Sequence, residues 1–188
     1  MFILDKLTKI YHHRSEPVYA LDGIRLTIPD GSFTAVTGGS GSGKTTLLLA
    51  LGGLIRPTGG TVLFRDADLF SFSTGRLAEY RNRTIGFVLQ TFNLVPYLTA
   101  LENVMVPMLL NGAAVSERRA RAAALLRQLD LERRTDFLPR ELSIGQQQRV
   151  AIARALANNP EVILADEPTG NLDPSLSVEI LDILARLH

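Results

Sequence analysis

Cysteine is absent from this chain, so neither a disulfide nor a thiolate metal site is available, which suits a reducing compartment. A surplus of charge is missing too. The 20 Lys and Arg against 19 Asp and Glu leave a formal +1, and no basic surplus marks a nucleic-acid partner. No window offers the roughly eighteen uninterrupted apolar residues of a membrane span. The opening Met1-Phe2-Ile3-Leu4-Asp5-Lys6 meets charge after a short apolar run and is not expected to act as a signal peptide. Work at a membrane would therefore need another subunit to hold the chain there. What is present is a globular composition, 46% hydrophobic and 21% charged, in 188 residues. That length fits one domain with room for an inserted subdomain.

The organising stretch is Gly38-Gly39-Ser40-Gly41-Ser42-Gly43-Lys44-Thr45-Thr46, which matches G-x-x-x-x-G-K-[ST]. At average residue frequencies the pattern arises by chance in under about one per cent of chains this long. Its chemistry explains its composition. Glycines let successive N–H groups turn inward on an anion where a Cβ would interfere. Lys44 then reaches the β- and γ-phosphates of a nucleoside triphosphate, and the Thr45 hydroxyl is placed to ligate Mg²⁺. Phe33-Thr34-Ala35-Val36-Thr37 reads as a buried strand before the loop, and Leu47 to Leu51 as a helix starting at it. The phosphates would lie at a helix N-terminus, whose dipole and free N–H groups favour negative charge.

Around that loop the pattern is α/β. Phe2 to Tyr11 reads as a strand, His12 to Pro17 as turn-rich, and Ile24, Leu26 and Ile28 alternate with Arg25 and Thr27 as in a half-buried antiparallel strand. Tyr11 reads equally as an edge-strand tyrosine and as a platform for a base, and His12 and His13 as solvated loop residues. Thr61 to Phe64 is a short strand and Thr74 to Arg83 a helix. Ile85 to Leu89 is an apolar strand ending in Gln90, where α/β sheets place ligand contacts. Gln90 reads as a Mg²⁺ ligand or as a plain polar strand end. From Thr91 to Asn159 the chain turns mostly helical, with a helix from Thr99 to Asn111 kinked at Pro107. An amphipathic helix over Ser116 to Leu129 sets Arg118, Arg119, Arg121 and Arg127 opposite Leu125, Leu126 and Leu129.

Leu142-Ser143-Ile144-Gly145-Gln146 holds S-x-x-Q, a capping box opening a helix that runs to Asn158-Asn159-Pro160. The same capped N-terminus, with a glycine in its first turn, is an anion site. Val162 to Ala165 is a continuous apolar strand of the parallel kind, ending in Asp166-Glu167. Two carboxylates at the end of a buried strand are costly without a cation. Mg²⁺ at Asp166 would remove the conflict and leave Glu167 as general base. The plainer reading is an acidic start to the next turn. Asp173-Pro174 has N-cap and N1 chemistry for a last helix with Ile180, Ile183, Leu184 and Leu187 on its apolar face.

Taken together these motifs resemble the ATP-binding-cassette (ABC) ATPases along the whole chain. They are Gly38–Thr45 (Walker A), Gln90 (Q-loop), Leu142–Gln146 (signature), Val162–Glu167 (Walker B) and Asn171-Leu172-Asp173 (D-loop). Gly52-Gly53-Leu54, Phe92-Asn93-Leu94-Val95-Pro96, Leu101-Glu102-Asn103-Val104 and Asp166–Asp173 are similar to the branch with the lipoprotein-releasing, macrolide-exporter and cell-division ATPases. The resemblance implies a P-loop NTPase with a RecA-like α/β core (1–90 and 158–188), an N-terminal antiparallel subdomain and an inserted helical subdomain (91–157). It implies ATP and Mg²⁺ as cofactors, with Thr45, Gln90 and Asp166 at the metal and Glu167, Lys44 and Gln90 in catalysis. The phosphate loop from Gly38 to Thr46 and Tyr11, as adenine platform, would bind ATP. A head-to-tail homodimer is implied, with Ser143, Ile144, Gly145 and Gln146 facing the other copy's ATP and Asp173 crossing between copies.

The implied setting is cytoplasmic, at the inner face of the membrane, with a multi-span permease as partner and no nucleic acid. The permease would choose the transported substrate. Mechanical transmission or regulation without a substrate is the alternative role. Two departures stand out: Ile144 sits where glycine is commonest, and the family's switch histidine, on a strand after the last helix, has no counterpart. His188 is expected inside that helix and is not that residue. A protein that continues with such a strand, more stable and more active than these 188 residues, is therefore expected.

Overall fold

Two long strands open the chain in the computed structural model, which describes residues 1–13 and 16–188. These residues divide into two units, 1–81 with His188 and 82–187. In the first, β1 (Phe2–His13) and β2 (Glu16–Ile28) pair antiparallel, with Phe2 opposite Ile28 and His13 opposite Glu16. Ile24, Leu26 and Ile28 are half-buried while Arg25 and Thr27 are exposed, as the period of two requires. The ladder runs further than expected. His12 and Pro17, assigned to a turn, face each other within it, and His12 is exposed. Pro17 lies on β2, an edge strand, where sheets tolerate proline. The tip of the expected turn and the side chain of His13 lie outside the described residues.

β3 (Gly59–Phe64) pairs with the other side of β1, and β4 (Ala67–Asp68) follows, giving the order β2-β1-β3-β4. α1 (Lys44–Leu51) and α2 (Thr74–Arg83) complete the unit's helices. The rings of Phe2, Phe64 and Tyr80 form a chain, 4.9 and 5.4 Å between successive centroids. The Tyr80 hydroxyl donates to the Leu51 carbonyl at 2.9 Å and ties α2 to the end of α1. Leu47 and Leu51 are buried on α1, each contributing roughly 1.5–3 kcal/mol of burial.

Phe33 to Thr37, expected as a buried strand, is not one. It carries no ladder, and Phe33 is 59% and Val36 41% exposed. A run of strand-forming residues becomes a strand only where a neighbour takes up its N–H and C=O groups. Among the described residues no strand pairs with it. His188 follows the last helix instead of lying inside it. Its Nε2 is 3.2 Å from the Gly31 carbonyl oxygen and its ring meets Phe33 edge-on at 6.0 Å.

The second unit is built on β5 (Ile85–Val88) and β6 (Val162–Ala165), paired parallel with Ile85 opposite Val162. Around them lie α3 (Ala100–Met105), α4 (Val115–Gln128), α5 (Ile144–Ala155) and α6 (Pro174–Leu187). α5 passes so close to β5 that a Cβ on Gly86 would stand 2.6 Å from the Ala155 carbonyl oxygen. Val104, Leu126, Val150, Ile152 and Ile180 close the core. The helix expected from Thr99 to Asn111 is α3 followed by a 3₁₀ stretch, Val106–Asn111. Pro107 lacks the N–H that an α-helix would need there. α4 is amphipathic, with Arg119, Arg121 and Arg127 exposed and Leu125, Leu126 and Leu129 buried, but Arg118, expected on the same wet face, is half-buried. On α6, Ile180, Ile183 and Leu184 are buried, but Leu187 in the last turn is exposed.

Candidate nucleotide site

Lys44 is the first residue of α1, and Gly43 before it caps the helix at φ 91° with no side chain to offer. Gly41 is left-handed too, at φ 77°. A Cβ on Gly43 would lie 2.1 Å from the Ala20 carbonyl oxygen on β2, so the position admits only glycine. Gly43 makes no side-chain cap bond to the first turn of α1, and a helix N-terminus is where an anion is favoured. The Lys44 ammonium folds back over the loop and donates to the carbonyls of Gly38 at 2.9 Å and Gly39 at 3.0 Å. Gly38, Gly39, Ser40, Gly41, Ser42 and Thr45 are exposed, and Thr46 is half-buried. Tyr11, on β1 of the same unit, is 42% exposed, with the Lys9 ammonium 5.1 Å from its ring centroid.

In the second unit Val88 pairs with Ala165, and the Asp166 N–H donates to the Val88 carbonyl at 2.9 Å. Gln90 and Asp166-Glu167 therefore leave neighbouring strands at the same carboxyl end, where open α/β sheets bind ligands. The Asn171 side chain donates to the Gln90 carbonyl at 3.0 Å. A Cβ on Gly170 would meet the Gln90 Nε2 at 3.1 Å, so the glycine gives this side chain its room. Glu167 is exposed and left-handed at φ 43°, uncommon outside glycine, and such outliers collect at functional positions.

The signature segment is built as the S-x-x-Q spacing requires. The Ser143 hydroxyl accepts from the Gln146 N–H at 3.3 Å, and the Gln146 side chain accepts from the Ser143 N–H at 3.0 Å. Such a cap stabilises a helix by about 1 kcal/mol. Ile144 projects outward at 52% exposure, so it does not disturb the cap. Gly145 is buried, and a Cβ there would stand 3.2 Å from a Leu176 methyl of α6. Asp173 caps α6, accepting from the Ser175 hydroxyl at 2.6 Å and from the N–H groups of Ser175 and Leu176 at 3.0 Å each. These bonds, the Ser175 hydroxyl first, hold its carboxyl below the usual aspartate range.

Three polar residues of this unit escaped the sequence reading. Asn103 is fully buried; it accepts from the Val95 N–H at 2.7 Å and donates to the carbonyls of Val95, Leu98 and Thr99. Gln148, also fully buried, donates to the Pro168 carbonyl at 2.7 Å, next to Glu167. Its Oε1 meets no partner among the described residues. Arg154 binds the backbone just after Gln90. The signal for the first two was a polar residue on an apolar helix stripe, Asn103 between Leu101 and Val104 and Gln148 ahead of Ala151 and Ile152.

A glycine loop opening a helix, with a lysine folded over it, defines a P-loop nucleotide-binding protein. The family is narrower than that: the ABC transporter model matches residues 21–170, and the chain belongs to that family. It is 49% identical over 188 residues to the ABC transporter ATP-binding protein YvrO of Bacillus subtilis, covering 100% of this chain and 82% of that one. It is 46% identical to the lipoprotein-releasing system ATP-binding protein LolD 1 of Rhodopirellula baltica, again covering 100% and 82%. Against the macrolide export ATP-binding/permease protein MacB of Brucella melitensis, identity is 48% over 98% of this chain and 29% of that longer one. Among solved structures, the dimeric post-hydrolysis cassette MJ0796 bound to ADP and Pi superposes with a TM-score of 0.92, at 44% identity, over 100% of this chain and 82% of the other. The expected fold and branch are borne out, and the chain is an ABC ATPase, the ATP-binding component of a transporter. A role without a transported substrate is not favoured by these relatives. No helix among the described residues is long and apolar enough to cross a membrane.

Proposed function

We propose that this chain binds MgATP, hydrolyses it with Glu167 as general base, and works as a pair of copies on a membrane permease. The observation that carries the reading is the Lys44 ammonium, held on the carbonyls of Gly38 and Gly39 above an uncapped helix N-terminus. Backbone N–H groups from Gly39 to Thr46 take the phosphate oxygens, Lys44 adds charge at the β- and γ-phosphates, and Tyr11 stacks on the adenine. The metal donors assigned to the site, the Thr45 hydroxyl, the Gln90 side-chain carbonyl and the Asp166 carboxylate, are all hard oxygens with one negative charge among them. That set fits Mg²⁺, which is held by one or two carboxylates together with substrate phosphates and not by an all-protein cage. Bound there, the ion would neutralise charge developing on the phosphates.

Glu167 takes the proton of the attacking water, from an exposed position with left-handed backbone just past β6. Ser143, Ile144, Gly145 and Gln146 present a capped helix end to the ATP of a second copy, and Asp173 lies at the contact between copies. The dimeric likeness named above supports this pairing. A relative that carries ATP-binding and permease parts in one chain supports the permease partner. The chain would then be cytoplasmic and peripheral to the inner face of the membrane. Glu167→Gln tests the reading: it should bind ATP, turn it over very slowly and elute as an ATP-dependent dimer. Parental turnover in that variant would mean that another group activates the water.

A further inference from the structure

Gln90 is followed by two consecutive residues in the left-handed region, Phe92 at φ 57° and Asn93 at φ 49°. Neither is glycine, and a phenylalanine there is strained. Something outside the turn must hold it. Arg154, near the end of α5, reaches across and donates from its two terminal nitrogens, to the Phe92 carbonyl at 2.6 Å and to the Asn93 carbonyl at 2.5 Å. Its guanidinium is half-buried, and no carboxylate pairs with it among the described residues. Burial alone displaces its pKa downward from the ordinary arginine value, although a guanidinium keeps its proton. An arginine that gives up hydration to bind only two main-chain carbonyls, both in one strained turn, is spent on that turn. Charge-assisted bonds of this kind are about twice as strong as neutral ones, and the planar fork spans both acceptors where a lysine cannot. Asn103 fixes the next part of the segment, from Val95 to Thr99. Asn171 holds the Gln90 carbonyl on the other side.

We propose that Arg154 is a positioning residue for hydrolysis: by clamping the Phe92-Asn93 turn it sets the direction in which the Gln90 side chain leaves β5. The inference rests on the proposed role of Gln90 as a metal ligand. Because α5 begins at the signature residues, the same helix joins the surface offered to a second copy's ATP with the orientation of this copy's Gln90.

The test compares Arg154→Lys, Gln90→Ala and the double variant in the whole protein. Three readouts are needed: metal-free nucleotide affinity, Mn²⁺ affinity of the ATP-bound form by electron paramagnetic resonance, and hydrogen exchange of the Thr91–Val95 amides. Arg154→Lys should keep nucleotide affinity within about twofold, weaken Mn²⁺ binding about tenfold or more, as supporting-residue changes at metal sites do, and speed exchange in Thr91–Val95 alone. In the Gln90→Ala background it should add no further loss of Mn²⁺ affinity, since it acts through that side chain. Phe92→Gly, which enters the left-handed region without a Cβ penalty, should restore part of the metal affinity to Arg154→Lys. Parental Mn²⁺ affinity in Arg154→Lys overturns the inference and leaves the Gln90 reading standing. Losses that add in the double variant, or exchange that rises across the whole unit, reduce Arg154 to a structural role and also overturn it. Parental metal affinity in Gln90→Ala removes the reading of Gln90 and this inference with it.

Discussion

Replacing Gly43 with alanine tests whether the phosphate loop is set by its backbone or by its side chains. The new Cβ would stand 2.1 Å from the Ala20 carbonyl oxygen and 3.3 Å from a Leu21 methyl. The first distance is short of normal contact by an ångström or more, and the obstacle is strand backbone, which cannot rotate away as a side chain can. Gly43 also sits at φ 91°, beyond the left-handed well that alanine tolerates, which costs about 1–3 kcal/mol by itself. The cheapest relief is for the loop to lift off β2. That moves the first-turn N–H groups of α1 and pulls Lys44 from the carbonyls of Gly38 and Gly39. Losing that convergence is expected to weaken ATP binding at least about 100-fold, close to 2.7 kcal/mol. Fluorescent-nucleotide titration measures the affinity, and circular dichroism at 222 nm shows that the fold survives. Parental affinity in a folded Gly43→Ala protein would refute the argument from backbone fit.

Lys44→Ala removes the cation over the loop and should abolish measurable ATP binding; direct calorimetry with unchanged affinity would discard the role given to Lys44. The Asp173 cap gives α6 a pH dependence. Its folded pKa lies below the ordinary value of 3.8, so its contribution is full above that pH and fades as pH falls through the lowered value. Asp173→Asn should therefore flatten the acid limb of the melting curve below about pH 4, and a limb as steep as the parent's would count against the cap. Gln148 gives the last of these. Gln148→Leu fills the same space and removes an unpartnered buried oxygen but strands the Pro168 carbonyl, at a cost of about 1–3 kcal/mol, whereas Gln148→Ala strands the same carbonyl and adds a cavity worth about 2 kcal/mol or more. Urea unfolding that ranks leucine below alanine would contradict that account.

The sequence made the site more legible than the sheet that carries it. Walker A, Walker B and the S-x-x-Q cap are local as patterns: each is recognised from its own few residues, even where its geometry leans on a neighbour, as Gly43 does on Ala20. Ser143 and Gln146 close the capping box within three positions, and Asp173 caps α6 through its next neighbours. The amphipathic helices were legible for the same reason, since burial on α4 follows its own period. Phe33 to Thr37 failed because a strand is a property of two segments. Its composition favours extension, but a ladder depends on what lies beside it, and composition carries no record of the neighbour.

Arg154 belongs to this second kind of information. Sixty-one residues separate it from Asn93, and on α5 it reads as one more cation near a helix C-terminus, where the dipole alone would account for it. Nothing in Phe92-Asn93 announces a left-handed turn either, although asparagine tolerates that region. Only their meeting gives either residue a meaning: a strained turn without a clamp would relax, and a desolvated guanidinium without acceptors would move back to water. The motif residues name the chemistry this chain performs. On the proposal that Arg154 positions Gln90, part of the precision of that chemistry is set by a pair no linear motif contains.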